Sequence, residues 1–101
     1  MRISNGDESK IYATFTPTTV ELYQDNSKKL ETTATGIDVT GTITADGLDM
    51  EDNQKILLGT SDDLQIYHDG TDSLIDFTNT AHNLRIRGDG EIRLEAKYNE
   101  L

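Results

Sequence analysis

The stretch Val20 to Thr33, Val-Glu-Leu-Tyr-Gln-Asp-Asn-Ser-Lys-Lys-Leu-Glu-Thr-Thr, returns 44 residues later (64 − 20) as Leu64 to Phe77, Leu-Gln-Ile-Tyr-His-Asp-Gly-Thr-Asp-Ser-Leu-Ile-Asp-Phe. Kept between the copies is apolar-x-apolar-Tyr-x-Asp-(Asn/Gly)-(Ser/Thr)-x-x-Leu, which describes an alternating strand, a tight turn and a returning strand. Self-similarity at this spacing signals stacked supersecondary units, none of which can bury its apolar side alone. Function in such an array resides in the shape of the stack, so a scaffold is the first reading and an active site the second.

The chain has little with which to build a core of its own. Of 101 residues 34% are hydrophobic, below the roughly 45–50% apolar usage of ordinary domains, and the mean hydropathy is −0.60. Small chains with thin cores rely on disulfides, metal or oligomerisation, and this one has no cysteine. Self-association is therefore expected. Nineteen acidic against nine basic residues give a formal charge of −10, which repels phosphate backbones and anionic lipid and argues against nucleic-acid binding. No apolar run approaches the roughly 20 residues of a membrane span, so no membrane insertion is expected, and Met1 to Gly6 lacks the apolar stretch of a signal peptide.

Period-two alternation dominates and helical periodicity is nearly absent, so the predicted fold is all-β. Repeated β-hairpins are expected at about 11–33, 36–59, 63–78 and 83–98, forming one continuous segment over 1–101. After a polar lead through Asp7 and Glu8, Ile11 to Thr16 reads as a strand stopped by Pro17, the only proline. The first repeat turns within Asp25-Asn26-Ser27. From Ile37 to Ala45 the apolar residues Ile37, Val39, Ile43 and Ala45 alternate with polar ones, and Gly41 breaks the row, which suggests a bulge or a close backbone approach. Asp46-Gly47 makes a turn, a helical turn is compatible with Leu48 to Asn53, and Ile56-Leu57-Leu58 is apolar enough to have both faces covered. The second repeat turns within Asp69-Gly70-Thr71, with a two- or a three-residue loop. In the last hairpin a Gly88-Asp89-Gly90 loop would pair Ile86 with Ile92, Leu84 with Leu94 and Arg87 with Glu91.

Two strings carry a resemblance. Glu21 to Thr33 with Gly36 to Leu48, and Leu57-Leu58-Gly59 followed by Asp63 to Thr71, resemble repeats in tail-fibre-like structural proteins of phages that infect marine bacteria, including cyanobacteria. The likeness covers most of Ile11 to Leu94. It implies a piece of an elongated homotrimeric virion fibre, of β-prism or triple-stranded β-helix type, and brings no catalytic or binding residues with it. Met1 enters mid-pattern and Leu101 follows closely on a strand-like Glu91 to Ala96, as expected for a piece of a longer fibre.

No chemical constellation stands out against that reading. His68 and His82 are the only histidines. Three symmetry copies of either on a fibre axis would suit a transition metal, yet neither has a second ligand at strand spacing. Asp46, Asp49, Glu51, Asp52 and Asn53, then Asp62 and Asp63, offer oxygens of the kind calcium takes, but Gln54 sits where an EF-hand loop needs glycine. Glycoside cleavage needs one carboxyl raised by an apolar pocket, and these carboxylates lie in polar, turn-like stretches, so no enzyme activity is expected. Arg87-Gly88-Asp89 spells an integrin-recognition tripeptide, though turn chemistry alone accounts for it. Tyr12, Tyr23, Tyr67 and Tyr98 lie at or near strand positions, and the shared repeat position of Tyr23 and Tyr67 favours packing over sugar binding.

The expectation is thus a stiff trimeric spacer in a virion tail fibre, partnered by itself and by other tail proteins, with any host glycan or receptor met elsewhere on the fibre. Residues expected inside are Leu22, Leu30, Ile37, Val39, Ile43, Ile56, Leu58, Leu64, Ile66, Leu74, Ile86, Ile92 and Leu94. A monomeric β-sandwich that binds carbohydrate or a protein surface is the alternative, and a connector attached to the fibre a third.

Overall fold

In a computed structural model the chain is all-β and divides into two compact units, Met1–Leu48 and Asp49–Leu101. The residues described are 1–78 and 80–97. Every strand pairing is antiparallel.

The first unit is a five-stranded meander of β1 (Arg2–Ser4), β2 (Ile11–Phe15), β3 (Val20–Gln24), β4 (Ser27–Thr32) and β5 (Ile37–Val39), each hydrogen-bonded to the next in sequence. Strand β1 forms where only a polar lead was expected. Its return to β2 is closed by Asn5, whose N–H donates to Lys10 O and whose Oδ1 accepts from Lys10 N–H. Strands β3 and β4 meet at Asp25-Asn26, with φ of 50° and 63°, the left-handed pair that a type I′ turn requires and that Asn and Asp tolerate. Asn26 also ties this turn to the neighbouring hairpin. Its Oδ1 accepts from the Ile11 N–H at 2.8 Å and its Nδ2 donates to Ser9 O at 2.8 Å, beside a Lys10–Asp25 ion pair.

The second unit holds β6 (Ile56–Leu58), β7 (Leu64–His68) and β8 (Ser73–Phe77) in that spatial order. One loop design recurs in both units. The four-residue loops 16–19, 33–36 and 69–72 each begin with an oxygen-bearing side chain that accepts from the N–H groups of the third and fourth residues. Thr16 Oγ1 takes Thr18 and Thr19 at 3.3 and 3.0 Å, Thr33 Oγ1 takes Thr35 and Gly36 at 3.3 and 3.1 Å, and Asp69 Oδ1 takes Thr71 and Asp72 at 2.9 and 2.7 Å. In all three the first residue's own N–H donates to the fourth residue's carbonyl. The side chain thus replaces a backbone acceptor inside the turn.

Several expectations change against this frame. The long strand from Ile37 to Ala45 stops at Val39. Thr40 adds one bond to Lys29 O, and Gly41 at φ 115° takes a conformation that a side chain would strain, diverting the chain from the sheet. No helical turn forms at Leu48 to Asn53; Asn53 has φ 64° and a tight turn joins Gln54 N–H to Glu51 O at 3.1 Å. Ile56-Leu57-Leu58 is an edge strand with both faces exposed within this chain. The second repeat's ladder ends at His68–Ser73, so its loop has four residues, because the Asp69 carboxylate closes the wider turn.

The last predicted hairpin does not form a ladder among the described residues, which carry no strand in 80–97. Glu91 meets Arg93 at 2.9 Å instead of Arg87, and Glu95 meets Arg93 at 3.2 Å. A two-stranded hairpin alone is marginal in water, and here two loop glycines add backbone entropy while the apolar side chains Ile86, Ile92 and Leu94 stand exposed among the described residues.

Candidate functional site

Ladder register places the apolar residues. In the first unit Ile3 opposes Ala13, Ala13 opposes Leu22, Leu22 opposes Leu30 and Leu30 opposes Val39, an unbroken apolar row across all five strands. Side chains two residues along a strand share a face, so a second row lies beside it. In that row Met1 exchanges backbone bonds with Phe15, Phe15 opposes Val20, the Val20 N–H donates to Thr32 Oγ1 and Thr32 opposes Ile37.

The reverse of the same sheet is polar. Arg2, Thr14, Glu21, Glu31 and Asp38 form its row. Adjacent carboxylates on neighbouring strands repel, and Lys28 answers by pairing with both Glu21 and Glu31. A register shift between Leu22 and Tyr23 opens the strand at this point. The Tyr23 hydroxyl donates to Glu21 Oε2 at 2.7 Å. That bond, helped by Lys28, lowers the Glu21 carboxyl below its ordinary pKa, and the same bond raises the Tyr23 phenol against the opposing charge of Lys28. The bond to Glu31 is the main cause that raises Lys28.

The second unit has a like apolar face and a mixed reverse. Ile56, Ile66 and Ile75 form one apolar row and Leu58, Leu64 and Phe77 the next. On the reverse stand Leu57, Gln65 and Asp76, with Tyr67 opposite Leu74. Lys55 lies over the Tyr67 ring, its Nζ 4.5 Å from the centroid, and donates to Gln65 Oε1 at 2.9 Å.

Neither apolar face is fully covered by the described residues of its own unit. Ala13, 7% exposed, is the one buried hydrophobic residue described, while Leu22 stays 44% and Ile75 61% exposed. The accessible surface is 9041 Å², against roughly 5,700 Å² for a folded monomer of this mass.

The residues expected inside divide accordingly. Leu22, Leu30, Ile37 and Val39 lie on the first face and Ile56, Leu58, Leu64 and Ile66 on the second. Leu74 lies on the reverse face. Ile43, Ile86, Ile92 and Leu94 are outside the strands and exposed. The sequence reading missed Ile3, Ala13, Phe15, Val20, Ile75 and Phe77. Of these, Ile75 and Phe77 were open to it, since Ile75-Asp76-Phe77 alternates as a half-buried strand does.

The chemical candidates do not converge. His68 ends β7 with its Nδ1 3.1 Å from Ser73 Oγ, and His82 lies beyond β8. Among the described residues no three His, Asp or Glu side chains gather where they would hold one metal ion. Asp46 to Asn53 and Asp62-Asp63 lie in the connections around β6, and Arg87-Gly88-Asp89 lies in the unpaired 84–94 stretch. Tyr12 and Tyr23 are on the polar face of the first sheet and Tyr67 on the reverse of the second; Tyr98 falls outside the described residues. No family model matches the chain, and no curated protein or solved structure matches it.

Proposed function

We propose that this chain is a structural segment of a phage tail fibre, a trimeric β-rich spacer that supports host attachment. The observation that carries the reading is the pair of apolar sheet faces, the first backed by a polar face and the second by a mixed one of Leu57, Tyr67 and Leu74 with Gln65 and Asp76. Three copies that turn these faces toward a common axis bury them and leave the carboxylate-rich reverse of the first sheet in water. Cyclic closure also limits free sheet edges. The repeated hairpins fit a stack that lengthens by addition of like units, and the quoted strings resemble phage fibre repeats. Its role is mechanical, holding a receptor-binding element away from the virion, with neighbouring tail proteins as its other partners.

Light scattering after size-exclusion chromatography tests this at low and high concentration. A stable species of 33.6 kDa, three times the 11.2 kDa chain, is the expected result. A monomer of constant mass with cooperative unfolding would overturn it in favour of a self-contained β-sandwich that binds carbohydrate or a protein surface. Charge on either side of the first sheet sharpens the test: Leu22→Glu lowers the mass, and Thr14→Glu on the reverse face leaves it unchanged.

A further inference from the structure

We propose that Leu84–Ile86, unpaired in the structure, is a strap that closes as a fourth strand on the open edge of β8 in its own chain, setting Leu84 opposite Phe77, Arg85 opposite Asp76 and Ile86 opposite Ile75. The pairing lies within one unit of one chain, so it stands or falls apart from the spacer reading.

The first unit supplies the precedent. There β4 is followed, after the loop 33–36, by Ile37-Asp38-Val39-Thr40-Gly41, of which Ile37–Val39 pairs with β4 as β5. In the second unit β8 is followed, after the connection 78–83, by Leu84-Arg85-Ile86-Arg87-Gly88, the same order of apolar, charged, apolar, polar and Gly. A six-residue connection is of ordinary length. Yet β8 pairs with β7 alone, and its other edge has no strand on it among the described residues.

Edge and strap match in three respects. Thr78 N–H donates to Asp63 O at 2.9 Å and Asp69 N–H to Asp72 O at 3.0 Å, and antiparallel alternation between these two bonds turns the backbone N–H and C=O of Ile75 and Phe77 away from β7, toward the open edge. Leu84 and Ile86 meet those groups. Their side chains, 42% and 70% exposed in the structure, then extend the rows Leu58–Leu64–Phe77 and Ile56–Ile66–Ile75 by one residue each. Arg85 falls on the reverse face beside Asp76, and neither of the two has an ion pair among the described residues.

Charge fixes the register. A slip of one residue would set Arg85 in an apolar row and Leu84 or Ile86 against Asp76. In the first unit the corresponding position sets Asp38 opposite Glu31, two like charges, and β5 forms even so; in the second the pair has opposite charges, which favours the ladder. The closed ladder is only three residues long and its ion pair is solvated, a gain small enough for the strap to stand open as well. Closing it removes an edge on which another chain could pair.

Amide hydrogen exchange on the full chain reads the closed state directly. The expected result is exchange at least tenfold slower at Leu84 and Ile86, which bond to β8, than at Arg85 and Arg87, whose N–H groups face outward. Equal exchange at all four, or protection of Arg85 and Arg87 instead, overturns the proposal. A cysteine pair in this cysteine-free chain identifies the chain that supplies the strap. Opposed residues of a non-hydrogen-bonded pair have Cα atoms about 4.5 Å apart, within disulfide reach, so Asp76→Cys/Arg85→Cys is expected to oxidise to a disulfide within one chain. Asp76→Cys/Ile86→Cys, with side chains on opposite faces of the closed sheet, is expected to do so at least tenfold more slowly. Equal rates would show a segment without register, and a disulfide between chains would show that a second copy takes the edge; either result overturns the strap and leaves the spacer reading standing.

Discussion

Leu74 lies directly opposite Tyr67 in the β7–β8 ladder, whereas Leu30, its counterpart in the first repeat, lies opposite Leu22. The two repeats share a sequence and differ by one residue in register. In the first, a two-residue turn combined with the irregularity at Leu22/Tyr23 returns Leu30 to the apolar face. In the second, the four-residue loop held by Asp69 feeds an unbroken ladder, and Ile75 and Phe77 take the apolar positions. A slip of one residue exchanges every side chain between faces.

Assembly should therefore respond to Ile75 and not to Leu74. Ile75→Asp places a charge in the Ile56–Ile66–Ile75 row and is expected to weaken association at least tenfold, about 1.4 kcal/mol. Leu74→Asp, on the reverse face, costs only a cross-strand contact with Tyr67, about 0.2–1 kcal/mol of stability, and leaves association intact. A concentration series of mass measurements on the two variants decides between this register and the one that repeat alignment implies.

The three side-chain-closed loops make a second prediction. Thr33→Val keeps the shape and the β preference but removes the acceptor for the Thr35 and Gly36 N–H groups. The expected loss is about 1 kcal/mol in urea unfolding, and Thr33→Asp, which copies the Asp69 arrangement, should recover most of it. Equal losses for both substitutions would show that the oxygen is not what closes the loop.

How much of this was legible in the sequence depends on how local the cause is. The all-β character, the first repeat hairpin and its Asp25-Asn26 turn follow from alternation and turn chemistry, and the structure has them. Register is less local: Leu30 and Leu74 occupy the same place in the repeat, a two- and a four-residue loop alone would leave both on the same side, and the irregularity between Leu22 and Tyr23 moves Leu30 to the other. The signal for the four-residue loops, Thr or Asp followed two residues later by Thr, is present at Thr16, Thr33 and Asp69, beside the stronger punctuation of Pro17 and Gly70. The extended strand through Ile43 and the hairpin at Leu84–Leu94 do not form among the described residues, because a pattern states which side would be buried and not what buries it. The candidate site was legible in part, since eight of its apolar residues were named, but its division into two separate faces required the pairings.

Asn26 carries two duties that substitution can separate. Asn26→Gly adopts the positive φ of 63° easily but loses the bonds to Ile11 N–H and Ser9 O, an expected cost of about 1 kcal/mol. Asn26→Ala loses the same bonds and adds left-handed strain of about 1–2 kcal/mol. Urea midpoints should fall in the order wild type, Gly, Ala. A glycine variant as stable as the wild type would mean that the brace between the two hairpin ends contributes nothing.

Asp69 gives one loop a pH dependence that its two relatives lack. The N–H groups of Asp72 and Thr71 bond to its carboxylate, with His68 nearby, and hold its pKa below the ordinary value. In the unfolded chain those bonds are gone and the ordinary value returns. The folded pKa is the lower one, so the stabilisation is complete above the unfolded pKa and is lost as pH falls through the folded pKa. Thr16 and Thr33 carry no titrating group. Acidification below the usual carboxylate range is expected to move the backbone amide resonances of Thr71 and Asp72 while those of Thr18, Thr19, Thr35 and Gly36 stay in place, and Asp69→Thr should remove the effect. Movement of all three loops together at one pH would point instead to a general loosening of the sheets, driven by carboxylates elsewhere, and the local account of the Asp69 loop would fail.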